Sequence, residues 1–73
     1  MIMARKIELK FAEKLRDLRK EYGYTQEHLA GISGIDYKHI QRLESKNPPA
    51  VRIDTLEKIA KAFDITLSEL VKF

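Results

Sequence analysis

Cysteine is absent from this 73-residue chain, which removes a disulfide framework, a thiolate metal site and a cysteine nucleophile together. A secreted domain this small ordinarily needs such staples, so the composition favours an intracellular protein, with the cytoplasm as the expected compartment. Only three glycines and two prolines occur, and 44% of the residues are hydrophobic, so the chain is neither fibrous nor disordered. No apolar stretch follows Lys6, as a signal peptide would require, and no run approaches the roughly 20 residues of a membrane span. Neither a membrane partner nor a cofactor is expected. His28 and His39 stand on different predicted helices without cysteines or a fixed carboxylate spacing beside them, so no metal site is expected either. Ser33, Ser45 and Ser68 have no base and orienting acid in the pattern, and nothing points to an enzyme.

The length allows one small domain. By surface scaling, a chain of this mass exposes roughly 12,000 Å² unfolded and about 4,600 Å² folded, so nearly every apolar residue must contribute to one core. A large walled pocket or a small-molecule effector domain finds no room in it. The net charge of +3 is mild, but its distribution is uneven. Residues 1–20 hold Arg5, Lys6, Lys10, Lys14, Arg16, Arg19 and Lys20 against Glu8, Glu13 and Asp17, a net of +4. Residues 37–52 hold Lys38, Arg42, Lys46 and Arg52 against Glu44, a net of +3. Composition alone fits an ordinary solvated surface better. A fold that sets the two blocks side by side would instead make one basic face.

The apolar spacing is helical from end to end. Ile7, Phe11, Leu15, Leu18 and Tyr22 form the stripe of an amphipathic helix, stopped by Gly23. Thr25 is an N-cap for a short helix with Leu29, Ala30 and Ile32 on its apolar side, ending near Ser33-Gly34. Asp36 caps the next helix, whose apolar members are Ile40 and Leu43. Lys46-Asn47-Pro48-Pro49 is a loop, because paired prolines cannot continue a helix. Ile53, Leu56, Ile59, Ala60 and Phe63 repeat the helical period, and Thr66-Leu67-Ser68-Glu69 is a capping box opening a last helix with Leu67, Leu70 and Val71. The expected fold class is all-α: five helices in one domain over residues 8–73, with residues 1–7 an N-terminal arm or the start of helix 1. Disorder is the expectation for Met1–Lys6, although Arg5 and Lys6 could reach an anionic partner.

The stretch Thr25 to Glu44, TQEHLAGISGIDYKHIQRLE, joins two short helices through Gly34 with the small Ala30 four residues earlier. A helix–turn–helix needs both features: a small residue where steeply crossing helices touch, and a turn residue that takes positive φ without strain. Phe11, Leu15 and Leu18-Arg19, then Thr25-Gln26, Leu29-Ala30, Gly34-Ile35, Ile40, Arg42-Leu43-Glu44, Leu56, Ile59-Ala60, Phe63, Leu67 and Leu70 follow in one order. In this the chain, over about residues 8–71, resembles the lambda-repressor-like (Cro/cI, XRE) helix–turn–helix family. The resemblance implies a compact five-helix domain that binds a double-stranded DNA operator, regulates transcription and works as a homodimer. Three positions depart from the family's habit: Arg52 where a Ser or Thr cap is usual, Asp64 where Gly is usual, and the Ser45–Val51 loop.

Helix geometry then assigns side chains. On a recognition helix at about residues 36–45, Ile40 and Leu43 face inward, while Tyr37, Lys38, Gln41 and Arg42 face out as candidate base readers in the major groove. Arg42 or Lys38 suits guanine O6 and N7, Gln41 suits adenine, and the Tyr37 ring suits a thymine methyl. Thr25, Gln26, His39, Ser45, Lys46 and Asn47 are candidate contacts to the DNA backbone, which position without reading sequence. The resemblance implies a structural salt bridge between Arg19 and Glu44, and Glu44 needs a partner in any case because a carboxylate at a helix C-terminus opposes the dipole. Leu70, Val71 and Phe73 of the last helix are the candidate dimer interface, or else they complete the core. The alternative function is a protein-interaction module or antitoxin-type partner that keeps the fold.

Overall fold

The computed structural model describes residues 3–73, with side chains from Ile7 onward, and divides them into helices α1 (Met3–Tyr22), α2 (Gln26–Ser33), α3 (Tyr37–Leu43), α4 (Ile53–Ala62) and α5 (Leu67–Leu70). There is no strand among the described residues. Residues 3–7 belong to α1. Met1 and Ile2, and the side chains of Arg5 and Lys6 named as able to reach a partner, lie outside the described residues. No helix among them is long and apolar enough to cross a membrane.

The helix ends are decided by local chemistry. Gly23 takes φ 72° after α1, and the bonds Gly23 N to Lys20 O (3.2 Å) and Tyr24 N to Arg19 O (2.9 Å) make a Schellman motif. The same pair of bonds closes α4, from Asp64 N to Lys61 O and from Ile65 N to Ala60 O, both 3.0 Å. There the left-handed residue is Asp64, at φ 58°, a conformation that Asp adopts more readily than most residues. At the starts, Thr25 accepts from His28 N, Asp36 accepts from Lys38 N, and Thr66 and Glu69 exchange both bonds of a capping box. Arg52 precedes α4 without any side-chain cap.

Helix α2 packs on both α3 and α4, and α4 packs on α5. Their shared core is Phe11, Leu15, Leu29, Ile35, Ile40, Leu43, Ile59, Ala60, Phe63 and Leu70, with Leu18, Tyr24, Leu56 and Ile65 against it. Tyr24 stacks on Phe63 and Tyr22 meets it edge-on, so the chain leaving α1 is pinned to the end of α4. Burying a Leu or Phe fully is worth about 1.5–3 kcal/mol, and Phe11, Leu15, Leu29, Leu43, Phe63 and Leu70 are the residues of these types in the cluster, with Leu18 and Leu56 against it.

The apolar stripes overrun that cluster at their ends. Ile7, near the start of α1, is exposed, and Tyr22 at its end stays 41% exposed although one edge of its ring meets Phe63. Ile32 lies on the outer flank of α2, and Ile53, the first residue of α4, is 75% exposed. Leu70 is the opposite case. It is wholly buried in the core of its own chain, so it offers no surface to a second copy, and the expectation of an interface role for it is corrected.

Candidate nucleic-acid interface

Helices α2 and α3 meet through a turn of residues 34–36. Gly34 sits at φ 75° with its N–H on Ala30 O (3.0 Å), the single-bond left-handed cap that a Cβ would strain. Ser33 shapes the same turn: its Oγ donates to Ala30 O (3.4 Å) and accepts from Ile35 N (3.2 Å). Ile35 then anchors the turn in the core, and Asp36 starts α3.

Helix α3 is shorter than the 36–45 span expected from sequence. Asp36 and Glu44 are its caps, and Tyr37–Leu43 its body. Seven residues suffice to set its two faces. Ile40 and Leu43 are completely buried, whereas Tyr37, Lys38, Gln41 and Arg42 are exposed. Among the described residues, no hydrogen bond or ion pair engages those four side chains. A charged or amide group left so at the surface is free to exchange water for a base edge, at the expense of hydration but not of a contact within the protein.

The residues named for the DNA backbone separate into two groups. Lys46 and Asn47 are exposed, and His39 is half-buried on the flank of α3. Thr25 Oγ1 accepts the His28 N–H (3.0 Å) as a cap, which leaves its own hydroxyl proton available. Ser45 is different. Its Oγ donates to Arg42 O (2.7 Å) and accepts from Asn47 N (3.3 Å), so its one donor is spent in shaping the loop, and a phosphate would find none.

Glu44, 7% exposed, is the single charged residue buried among the described side chains, and three elements converge on it. Arg19 of α1 holds the carboxylate with a fork, Nε to Oε2 at 2.7 Å and Nη2 to Oε1 at 2.8 Å. Arg19 Nη1 also donates to Tyr24 O (3.0 Å), tying the same guanidinium to the α1–α2 link. The hydrogen bonds to Glu44 raise the Arg19 pKa above its ordinary value, against the opposing effect of burial. Gln26, the first residue of α2, donates from Nε2 to Glu44 Oε1 (3.0 Å). Arg16 donates from Nη1 to the Glu44 main-chain carbonyl (2.7 Å). Sequence reasoning named Gln26 as a contact to DNA, not to Glu44, and gave Arg16 no part in the site. A signal for Arg16 was present, since it lies three residues before Arg19 and so on the same face of α1.

This clamp also joins the two basic blocks of the sequence. Arg16 and Arg19 from the first meet the end of the helix that carries the second, and the acid between them neutralises part of the charge. The outcome is a two-helix unit tied to α1 at Glu44 and presenting Lys38, Gln41 and Arg42 at its surface.

Residues 14–73 match the family described as the Cro/C1-type HTH DNA-binding domain. A protein of Pyrococcus furiosus named as an HTH-type transcriptional regulatory protein is 40% identical over 52 residues, which cover 71% of this chain and 16% of the relative. The cryptic phage CTXphi transcriptional repressor RstR of Vibrio cholerae is 34% identical over 61 residues, covering 84% of this chain and 54% of RstR. The chain thus spans about one-sixth and about half of the lengths of these two relatives. Among solved structures, the restriction-modification controller protein C.AhdI from Aeromonas hydrophila superposes with a TM-score of 0.80 at 36% identity, over 86% of this chain and 94% of that one. The five-helix fold, the helix–turn–helix at α2 and α3 and these likenesses agree, and the chain belongs to the family of Cro/C1-type HTH DNA-binding domains.

Proposed function

We propose that this domain reads a specific double-stranded DNA operator by laying α3 in the major groove, without enzymatic activity. The observation that carries the reading is the outward quartet Tyr37, Lys38, Gln41 and Arg42, exposed and uncommitted on a helix whose inner face is wholly buried. Arg42 and Lys38 offer donors to guanine, and Gln41 offers the donor–acceptor pair that matches adenine. Thr25, Gln26, His39, Lys46 and Asn47 flank the groove as phosphate contacts. Gln26 retains one amide proton after its bond to Glu44, so both duties are compatible. The positive end of α2 adds to the attraction for a phosphate at Gln26.

The functional unit in this reading is a homodimer, because one recognition helix reads a half-site and two copies about one DNA turn apart read a symmetric operator. Exposed apolar side chains supply the contact. Val71 and Phe73 are 41% and 48% exposed and, with Ile7, Phe11, Val51 and Leu56, line an apolar groove of about 420 Å³.

The test is selection of duplexes from a random-sequence library, followed by titration of the enriched duplex with Lys38→Ala and Arg42→Ala. Each substitution is expected to cost about 1–3 kcal/mol of discrimination at its own base pair while circular dichroism stays helical. Full retention of affinity and sequence preference by both variants would sink the assignment of this face.

A further inference from the structure

Helix α3 is seven residues long, less than two turns beyond its caps, so its own hydrogen bonds do little to fix its direction. Its exit is held from outside, through Glu44. Arg19 and Gln26 hold the side chain of Glu44, but a side chain can stay clamped while the peptide beyond it tilts. The group that holds the main chain is Arg16, whose Nη1 lies 2.7 Å from the Glu44 carbonyl oxygen in a half-buried setting. That carbonyl follows the last turn of the helix, where acceptors lack intrahelical donors and a cation complements the dipole. From the same peptide, Ser45 folds back on Arg42 O and receives Asn47 N–H, so the loop carrying Lys46 and Asn47 leaves from a point that Arg16 anchors.

We infer that Arg16 is a positioning residue for DNA recognition: its guanidinium fixes the Glu44–Ser45 peptide, and through it the pose of α3 and the departure of the Lys46–Asn47 loop. Arg16 itself touches no DNA in this scheme. It acts through Glu44, and it connects α1, which lies behind the helix–turn–helix, to both the base-reading and the backbone-contacting residues. The inference rests on the recognition role proposed for α3. A recognition constellation has to be held within about half an ångström of its productive geometry, so loosening this one peptide is felt at several DNA contacts at once.

The experiment compares wild type, Arg16→Met and Arg16→Lys on the duplex enriched by the wild-type chain and on a scrambled duplex, over a series of salt concentrations. Met keeps the length of the stem and removes every donor, while Lys keeps one cation able to reach a carbonyl. Arg16→Met is expected to lose on the order of tenfold in affinity for the enriched duplex and much less for the scrambled one, with Arg16→Lys recovering most of the loss. On the scrambled duplex, where the pose of α3 reads no base, the slope of log affinity against log salt is expected to match wild type in all three proteins. A slope shallower by about 0.9 in Arg16→Met means that Arg16 neutralises a phosphate directly, and overturns the positioning role. So does wild-type affinity in Arg16→Met. Should Arg16→Met fail to fold by circular dichroism, Arg16→Gln serves in its place under the same criteria. A wild-type chain that prefers no duplex over another refutes the recognition reading, and this inference with it.

Discussion

Replacing Arg19 with Met isolates the energetic role of the clamp behind the recognition helix. The substitution keeps an aliphatic stem of similar reach and removes three charge-assisted bonds, two to Glu44 at 2.7 and 2.8 Å and one to Tyr24 O at 3.0 Å. What remains is a carboxylate whose side chain is 3% exposed, with Gln26 as its one side-chain donor. Removing one partner of a buried ion pair costs about 3–5 kcal/mol, because the survivor keeps its desolvation without its compensation. Arg19 is 16% exposed and Gln26 stays, so the lower end, about 3 kcal/mol, applies. A domain of this size has roughly 4–11 kcal/mol in total, so the variant forfeits a large share of its stability. Urea unfolding followed by circular dichroism should show the midpoint falling by about 3 M, given an m-value near 1 kcal/mol/M. The double variant Arg19→Met with Glu44→Leu should recover part of the loss, since no charge is then left buried. A loss below about 1 kcal/mol in Arg19→Met alone would refute the reasoning and put the pair among ordinary surface bridges.

Other positions give separate tests. Asp64→Gly should stabilise the domain by about 0.5–1 kcal/mol, because Gly takes φ 58° without strain and a negative charge is removed from the α4 C-terminus; Asp64→Ala should destabilise it, and thermal melts of the pair check the signs. The backbone and hydroxyl bonds from Thr66 hold the Glu69 carboxyl below its ordinary value of 4.5, so its contribution is complete above that value and is lost as pH falls through the lowered one. Glu69→Gln should therefore be less stable than wild type at neutral pH, and the two should converge in acid, as chemical denaturation across pH would record. Val71→Asp together with Phe73→Ser should shift sedimentation toward monomer and weaken operator binding with no loss of helicity, whereas an unchanged dimer moves the interface off this patch.

Much of the architecture is legible because it rests on bonds between residues close in sequence. Thr25, Asp36 and Thr66 cap the helices that follow them, and Gly34 turns the chain by adopting a backbone few other residues take at no cost. The faces of α3 follow from a 100° step alone, so the buried pair Ile40 and Leu43, with Lys38 and Arg42 opposite them and Tyr37 and Gln41 on one flank, are written in the order of residues. The Arg19–Glu44 pair, 25 residues apart, was expected through family resemblance and a dipole argument, not through spacing.

What the sequence by itself determined is therefore the set of helices, the caps at Thr25, Asp36 and Thr66 and the helix–turn–helix between α2 and α3, all governed by short-range sterics and hydrogen bonding. Tertiary packing decided which apolar residues the core accepts. Leu70 is enclosed and Ile53 is left out, although both satisfy the helical period, because burial depends on what lies opposite a helix face. Packing also decided that Gln26 and Arg16, 18 and 28 residues from Glu44, meet at that one residue. No local rule predicts such contacts, since they exist only where three helices are brought within hydrogen-bonding distance by the core they share.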